Sequence, residues 1–418
     1  MSLAGMAGMA GMAGMAGMAG MAGMAGMAGM AGMAGMPAYT GQSPSPLLVE
    51  ALMRSREALA DRLDGGAQWQ PLPAWLADKS LPPGDDDTRL RALDPNIRAY
   101  LAEIELLCNL HFAPGPGSAT LYWLNAELSR GKPKVQPVPV EGIERPGFEV
   151  FAAQLLNVES RIRDRADRTP EILAQLLPQV SFWSSVVDLH PNRTPRTIEL
   201  IDVALQFGML MVMRFKHALA CPRPIEWSPN IQPIIATPGY TALPSGHSTE
   251  AYLLARLMRS LMGQSEQSQS AVQLGRQAAR IAENRVVAGL HFPCDSTAGR
   301  LLGDTLGGLL VSLCSDETAW RARRFIGSKM TANDTDFVAD ESLDDKPPPY
   351  FRSTPGAALK AGSTPVLRWM WQQARDEWDR LQPAPRGATR AKADGGTTPR
   401  MGNAAGAAAP RKGKGSRT

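Results

Sequence analysis

The segment "PSGHSTEAYLLARLM", residues 244–258, decides the fold because it joins a tight turn to an apolar run with helical spacing. A proline and two small residues precede His247, one of only five histidines in the chain, and large apolar residues then recur three and four positions apart. This pattern predicts a helix over 247–262. Unpaired backbone N–H groups and the positive end of the dipole make a helix start favourable for an anion. The segment therefore predicts an anion site with a histidine beside it.

The other periodic segments predict an all-α fold, a helical bundle with one core from about residue 40 to 380. Asp94, Thr169 and Thr194 each precede a proline, and a capping side chain before a proline is typical of a helix start. The acidic, proline-rich stretch 329–356 predicts a long surface excursion. The predicted helices are 46–63, 95–111, 119–130, 147–166, 170–189 (interrupted near Pro178), 195–219, 247–262, 266–287, 296–314 and 366–381.

The N-terminal end differs in composition from the predicted helical domain, which we place at 38–382. Residues 4–36 repeat Ala-Gly-Met eleven times, and a glycine at every third position opposes a stable helix, so we interpret 1–37 as a disordered leader. The leader is apolar and long enough to cross a membrane, but it lacks a basic start and a clear cleavage site. We expect a cytoplasmic protein, with export or membrane association through the leader left open.

The C-terminal segment 383–418 predicts a basic, disordered tail, since it holds eight Lys or Arg residues and one acidic residue. Its charge of +7 leaves about −3 for the rest of a chain whose total is +4. We interpret the tail as solvated, or as a weak contact to nucleic acid or anionic lipid. The acidic remainder argues against a nucleic-acid-binding protein, because such a protein needs basic residues on its folded surface as well.

The remaining composition is that of an intracellular protein without metal clusters or membrane spans. The four cysteines have neither metal-ligand spacing nor a dense disulfide pattern, so free thiols in a reducing compartment are expected. The most apolar windows outside the leader, 204–213 and 301–314, are short and have charges in or beside them. They predict buried helices rather than membrane spans.

Three separated segments gather cations, histidines and a carboxylate. They are "KHALACPRP" (216–224), "PSGH" (244–247) and "NRVVAGLHFPCD" (284–295). In the third, Asp295 can accept the proton of one imidazole nitrogen of His291 and leave the other nitrogen free. The candidate site residues are Lys216, Arg223, Ser245, Gly246, His247, Arg285, His291 and Asp295.

Each segment also has a structural interpretation when it stands alone. A cation beside a helix end is usually a solvated cap, a lone histidine is usually structural, and Asp295 fits the N-cap of the next helix. Together the segments supply three cations, one helix start suited to an anion and two histidines. A tetrahedral or trigonal-bipyramidal oxyanion requires such a set, so the combination predicts an oxyanion site.

Lys-x6-Arg-Pro, Pro-Ser-Gly-His and Arg-x5-His-x3-Asp together resemble the signature of one enzyme superfamily. It comprises type 2 phosphatidic acid phosphatases, bacterial class A acid phosphatases and vanadium-dependent haloperoxidases. All ten signature identities are present in order over residues 216–295, and the departure is Asn284, where serine commonly precedes the arginine. The resemblance implies an enzyme with an all-helical fold.

The resemblance also implies a role for each signature residue. His291 would be the phosphate-accepting nucleophile or the vanadium ligand, oriented by Asp295, and His247 would be the general acid or base. The oxygens of phosphate or vanadate would be held by cations, a hydroxyl and an amide, namely Lys216, Arg223, Arg285, Ser245 and Gly246.

Within the superfamily, the resemblance favours a haloperoxidase-like enzyme that oxidises halide with hydrogen peroxide at a histidine-bound vanadate. Haloperoxidases are similar to this chain in size, in lacking membrane spans and in carrying the signature in the C-terminal half. Tyr240 would supply an aromatic wall of the halide pocket, whereas Met213 and Leu254 stand where some relatives have an aromatic residue or a second histidine. The alternative is a phosphomonoesterase that needs no cofactor and acts through a phosphohistidine. Self-association as a homo-oligomer stays open.

Two cysteines lie inside the motifs, and they raise a redox hypothesis. Cys221 lies two residues before Arg223, and Cys294 immediately precedes Asp295. If both motifs close around one anion, the two thiols are near neighbours and could form a reversible disulfide that distorts the site. Nearby cations would lower a thiol pKa, whereas apolar packing would raise it. The alternative is that both are small buried residues that fill space.

Overall fold

Helices make up most of the part of the chain that the computed structural model describes, which is residues 50, 51, 53–55, 86–129, 132–176, 180–315, 320–344, 346–359 and 363–381. The helices are α1 (Asp87–Ala92), α2 (Pro95–Cys108), α3 (Phe148–Ser160), α4 (Arg165–Ala174), α5 (Val180–Ser184), α6 (Pro195–Leu219), α7 (Pro224–Trp227), α8 (Gly246–Leu261), α9 (Gln269–Val287), α10 (Pro293–Cys314) and α11 (Pro365–Leu381). The strands are β1 (Leu110–Gly115), β2 (Ser118–Ser129), β3 (Lys132–Glu144), β4 (Arg321–Ile326) and β5 (Phe351–Pro355). The predicted leader 1–37, the predicted tail 383–418 and most of the predicted helix 46–63 lie outside the described residues.

The fold is not all-α, because five strands form one mixed sheet in the order β1-β2-β3-β4-β5. β1, β2 and β3 form an antiparallel meander, β3 pairs in parallel with β4 over residues 141–144, and β4 pairs with β5 antiparallel. The predicted all-α class is therefore wrong, and so is the predicted helix 119–130, which lies in β2. The sheet packs against α10 through β3 and β4 and against α6 through β2.

The strand character of β2 is hard to recognise because both of its faces are apolar. Ala119, Leu121 and Trp123 are buried, which is the period-two pattern of a strand. The intervening Tyr122 and Leu124 are also apolar, so the same stretch has apolar residues at helical spacing. Pairing with a strand on each side satisfies the backbone of β2 and decides the outcome.

The hairpins themselves leave two signals in the sequence. Pro116 and Gly117 join β1 to β2, and Gly117 has φ of 65°, a left-handed value that favours glycine. Pro133, Pro137 and Pro139 lie in the part of β3 that pairs only with β2. All three occupy odd positions, so their missing N–H groups fall on one edge of the strand, where proline is tolerated.

Two smaller predictions also change. α4 begins at Arg165, so Pro170 lies inside the helix instead of starting one. The predicted interruption near Pro178 falls between the end of α4 at Ala174 and the start of α5 at Val180. The stretch 329–356 contains β5 and buries Phe337, Tyr350 and Phe351, so it is not a surface excursion. By contrast, the predicted helix 195–219 is confirmed as α6.

α10 lies at the centre of the structure and is buried along nearly its whole length. It packs against α8 more extensively than any other two described helices pack, and it also contacts α6, α9 and α11. Among the residues that the structure describes, no helix combines the length and the apolarity needed to cross a membrane. The burial of α10 instead comes from neighbouring helices and the sheet.

A row of glycines on α10 sets its distance from α8. Gly299, Gly303 and Gly307 recur every four residues and so lie on one face of the helix. A Cβ atom at Gly299 would lie 2.6 Å from the backbone oxygen of Ser245, and one at Gly303 would overlap the backbone oxygen of Thr249. The absence of side chains there lets the two backbones approach closely.

Gly303→Ala is therefore expected to destabilise the protein by about 2–3 kcal/mol, because the added carbon meets backbone rather than a flexible side chain. The matched control is Gly275→Ala on α9, where a Cβ atom meets nothing within 4 Å. That control should raise the free energy of unfolding by about 0.5–1 kcal/mol, because alanine is the better helix former. Urea denaturation monitored by circular dichroism measures both changes, and equal effects at the two positions would contradict the close-packing argument.

Candidate active site

The three predicted segments meet in one pocket, although they are far apart in the sequence. Lys216 lies near the end of α6 and Arg285 near the end of α9, while Gly246 and His247 begin α8 and His291 precedes α10. The pocket is lined by Leu176, Met209, Val212, Met213, Arg223, Pro238, Tyr240, Gly246, His247, Glu250, Arg285, Leu290 and His291.

Four of the predicted residues do not line this pocket. Lys216 donates from Nζ to the backbone oxygens of Thr241 (2.8 Å) and Ala242 (2.5 Å). Ser245 is buried as the N-cap of α8, where its hydroxyl accepts a long bond from an amide of the first turn, and Asp295 lies behind His291. Leu254 is buried in the hydrophobic core, so it takes no part in a substrate pocket.

Two contacts fix the proton of His291 on one ring nitrogen. Nε2 lies 3.1 Å from Nη1 of Arg223, and a guanidinium can only donate, so Nε2 carries a lone pair. Nδ1 therefore carries the proton and donates to Oδ2 of Asp295 at 3.0 Å. This arrangement leaves the nitrogen that faces the pocket as the nucleophile or ligand.

The carboxylate of Asp295 serves the fold and the site together. Its Oδ2 atom accepts from the backbone N–H of Phe292 at 2.9 Å, which caps α10, and also from His291. Burial raises the pKa of Asp295 to about 6, which leaves it ionised at neutral pH. The N-cap position is Phe292, so the predicted N-cap role of Asp295 is wrong: it stabilises the helix start from the third helical position, and the same oxygen accepts from His291.

Arg223 and Arg285 bring buried N–H groups to the pocket that have no partner among the described residues. Nε of Arg223 donates to the backbone oxygen of Tyr240 and Nη1 to that of Leu290, whereas Nη2 has no acceptor. Arg285 donates from Nη2 to the Oε1 atom of Gln175 at 2.7 Å, whereas its Nε and Nη1 have no acceptor. A buried donor without an acceptor costs about 1–3 kcal/mol, so an anion bound here would recover that free energy.

Tyr240 stands over the cationic side of the pocket, as an aromatic wall would. Its ring centroid is 5.3 Å from Nζ of Lys216 and 5.3 Å from Cζ of Arg223. Both distances are within the range of a cation–π contact. Met213 also lines the pocket, as does Met209 one turn earlier on the same helix, α6.

Gln175 was missed by the sequence interpretation, and it connects both sides of the site. Its backbone oxygen lies 3.2 Å from Nε2 of His247, and its side chain accepts from Arg285. Asn284, the departure from the signature, donates to Gln175 at 3.1 Å and to Glu171 at 3.0 Å. Asn284 therefore holds the end of α4 beside the pocket. The presence of asparagine where the signature commonly has serine was the one feature of the sequence that could have pointed to this contact.

Both histidines are neutral in the folded protein. Burial, followed by the charge of Arg285, lowers the pKa of His247 to about 3. Burial and then Arg223 and Lys216 lower the pKa of His291 well below its usual value. A bound anion would offset the neighbouring cations, so it would raise both values toward the range in which histidine exchanges protons.

The two motif cysteines are free and buried, in line with the space-filling alternative. Burial raises the pKa of Cys221 to about 12 and raises that of Cys294 well above its usual value. The nearby cations do not activate these thiols, because burial outweighs their charge. The reversible disulfide stays a prediction.

Residues 200–319 match the model of the PAP2 superfamily, and this match supports membership of the superfamily that the three motifs resemble. The matched region begins in α6 and includes α8, α9 and α10, so it holds every signature residue. The superfamily comprises phosphatases and haloperoxidases, which supports an enzyme of one of these kinds. A comparison with curated proteins finds no match.

The depressed pKa of His247 makes stability depend on pH. The unfolded chain binds a proton at this residue near pH 6.5 and the folded protein does not, so the free energy of unfolding decreases as pH falls from about 6.5 toward 3. His247→Gln should remove this residue's share, roughly 2 kcal/mol between pH 7 and pH 5. Urea denaturation at both pH values tests this, with the exposed His217→Gln as control. Equal losses in the wild type and His247→Gln would contradict a neutral buried His247.

Proposed function

We propose that the chain is a phosphomonoesterase that transfers a phosphoryl group to His291 and then to water. The single observation that carries this proposal is that unpartnered buried N–H groups of Arg223 and Arg285 share a pocket with His291, whose Nε2 atom carries a lone pair. A tetrahedral anion is the ligand whose oxygens satisfy several such donors at once. The helix start at Gly246 adds backbone N–H groups and the positive end of the α8 dipole.

The first half-reaction follows from this geometry. The lone pair of His291 Nε2 forms the N–P bond while the ester P–O bond breaks, and Arg223 turns its N–H groups from the imidazole to the phosphoryl oxygens. His247, protonated when the dianion raises its pKa, gives its proton to the leaving alkoxide. Asp295 accepts the hydrogen bond from Nδ1 of His291, so the proton stays on Nδ1. The negative charge of Asp295 stabilises the positive charge that develops on the ring.

The second half-reaction returns the enzyme to its starting state. A water molecule attacks the phosphorus, the P–N bond breaks, and neutral His247 takes the proton of the water. When inorganic phosphate leaves, the pKa of His247 falls again and this residue releases its proton to solvent, which restores both neutral histidines. Arg223 and Arg285 stabilise the negative charge of the transferring group throughout.

Two methionines in the pocket favour hydrolysis over halide oxidation. Met209 and Met213 both line the wall, and a thioether is readily oxidised to the sulfoxide. An enzyme that released hypohalous acid here would convert its own pocket wall from apolar to polar. Phosphoester hydrolysis produces no oxidant, so it is compatible with these side chains.

A vanadate-dependent peroxidase is the second candidate, favoured by the aromatic wall that Tyr240 provides. The donors that fit phosphate also fit vanadate, with His291 Nε2 as the ligand of vanadium and Arg223 and Arg285 on its oxygens. Bound vanadate would supply a centre that activates hydrogen peroxide toward halide. Bromination by vanadate-loaded protein given peroxide and bromide, well above a vanadate-free control, would assign this function.

The phosphatase proposal predicts different effects for the two histidines. His291→Ala should lower kcat for p-nitrophenyl phosphate by roughly a thousandfold or more, because the nucleophile is lost. His247→Ala should still bind inorganic phosphate but lower kcat by roughly a hundredfold to ten-thousandfold. The matched control is His217→Ala, an exposed histidine next to Lys216. Full activity of His291→Ala would exclude its role as the nucleophile, and loss of phosphate binding in His247→Ala would reverse the two roles.

Phosphate and vanadate should compete for a single site, because both present oxygens to the same cations. Isothermal titration of vanadate into protein saturated with phosphate should show the affinity reduced in proportion to phosphate occupancy. Independent, simultaneous binding of both anions would contradict the shared site.

A further inference from the structure

Glu250 is an acidic residue in a pocket otherwise suited to anions, and the sequence interpretation gave it no role. It lies on α8 one turn beyond Gly246 and lines the pocket with His247, Arg285 and His291. A Cβ atom built at Gly246 would lie 4.0 Å from Oε1 of Glu250, so the carboxyl group lies against the helix start. Its side chain is only 7% exposed.

The charge of Glu250 decides how much positive charge an anion meets. If the carboxyl group is neutral, the carboxylates that oppose the three cations Lys216, Arg223 and Arg285 are Asp295 and, for Arg223, Glu226. If it is ionised, a second carboxylate competes with the ligand for Arg285 and Lys216, the cations that act on it electrostatically. The neutral form therefore suits a dianion, and its O–H group can donate to an anion oxygen.

Burial favours the neutral form and outweighs both cations. It raises the pKa of Glu250 to about 8, against the lowering effect of Arg285 and Lys216. The cations that act on the carboxyl group are Arg285 from α9 and Lys216 from α6, and Arg223 from the turn before α7 lines the same pocket. The other titratable groups around the pocket are Tyr240, His247, His291 and Asp295.

We propose that Glu250 makes anion binding conditional on a proton: a tetrahedral dianion binds while this carboxyl group is neutral and is expelled when it ionises. This inference rests on the anion site of the proposed function and extends it to the charge state of the ligand. Binding then takes up a proton in alkaline solution, since the complex retains the neutral carboxyl group. The pocket is thereby selective for dianionic phosphomonoesters at neutral pH and closed to them at high pH.

The test compares sulfate binding by the wild type, Glu250→Gln and Glu141→Gln between pH 6 and pH 9.5, using isothermal titration calorimetry. Sulfate is a tetrahedral dianion throughout this range, so its own ionisation does not contribute. Glutamine mimics the neutral carboxyl group. Glu141 is the matched control because burial also raises its pKa to about 8, but it lies on β3 bonded to Thr305, outside the pocket lining.

The wild type and Glu141→Gln should lose affinity for sulfate above pH 8, and by pH 9 they should bind about tenfold more weakly than Glu250→Gln. Titration of Asp295 affects all three proteins alike, whereas Lys216 and Glu250 act on each other electrostatically, so the ratio measures the charge of Glu250 together with its effect on Lys216. Parallel loss of affinity in the wild type and Glu250→Gln would overturn the inference. Failure of the wild type to bind sulfate or phosphate at any pH would instead overturn the anion site itself.

A second measurement covers the case in which Glu250→Gln does not fold. Titrations of the wild type at pH 8.5 in two buffers of different ionisation enthalpy give the number of protons taken up with each sulfate. Uptake of more than about half a proton is expected, because most of the free protein has Glu250 ionised at that pH. Binding without proton uptake would overturn the inference.

Discussion

The close contact between α8 and α10 is the constraint on which the site depends. Gly299 and Gly303 remove the side chains that would separate the two helices, and the backbone N–H of Ser245 then donates to the backbone oxygen of Asp295 at 2.8 Å. This bond joins the first turn of α8 to the first turn of α10. The two anion-binding elements are therefore held in one position by backbone contacts, which side-chain motion cannot loosen.

The pocket contains charged side chains that are buried, and burying a charge costs free energy. Arg223 and Arg285 are 1% and 0% exposed, and each keeps donors that no described residue satisfies. Such groups lower the stability of the ligand-free protein, and the rest of the core must compensate. The unpartnered donors need not leave another acceptor before an anion binds, and only Nη1 of Arg223 must give up its contact with the imidazole. In the proposal above, Glu250 affects the same buried cations, since its protonation state sets how much of their positive charge is left to attract an anion.

The residues that hold the site in place come from parts of the chain that carry no signature. Gln175 at the end of α4 contacts His247 and Arg285, and Asn284 fixes Gln175 through a side-chain bond. The sheet contacts α10 through β3 and β4. The signature thus supplies the charged residues and histidines in and around the pocket, while the surrounding elements fix their positions.

The sequence alone identified the motif residues that gather around the pocket and most of the helices, because both depend on local information. Capping residues and apolar spacing placed α6 at 195–219, and motif spacing identified His291 with Asp295 and the helix start at His247. Tertiary structure decided what depends on distant partners. β2 is a strand because β1 and β3 satisfy its backbone, although its own residues also fit a helix. Likewise Gln175 and Glu250 acquire their positions only when α4, α8 and α9 converge, since nothing in their local sequence distinguishes them from surface residues.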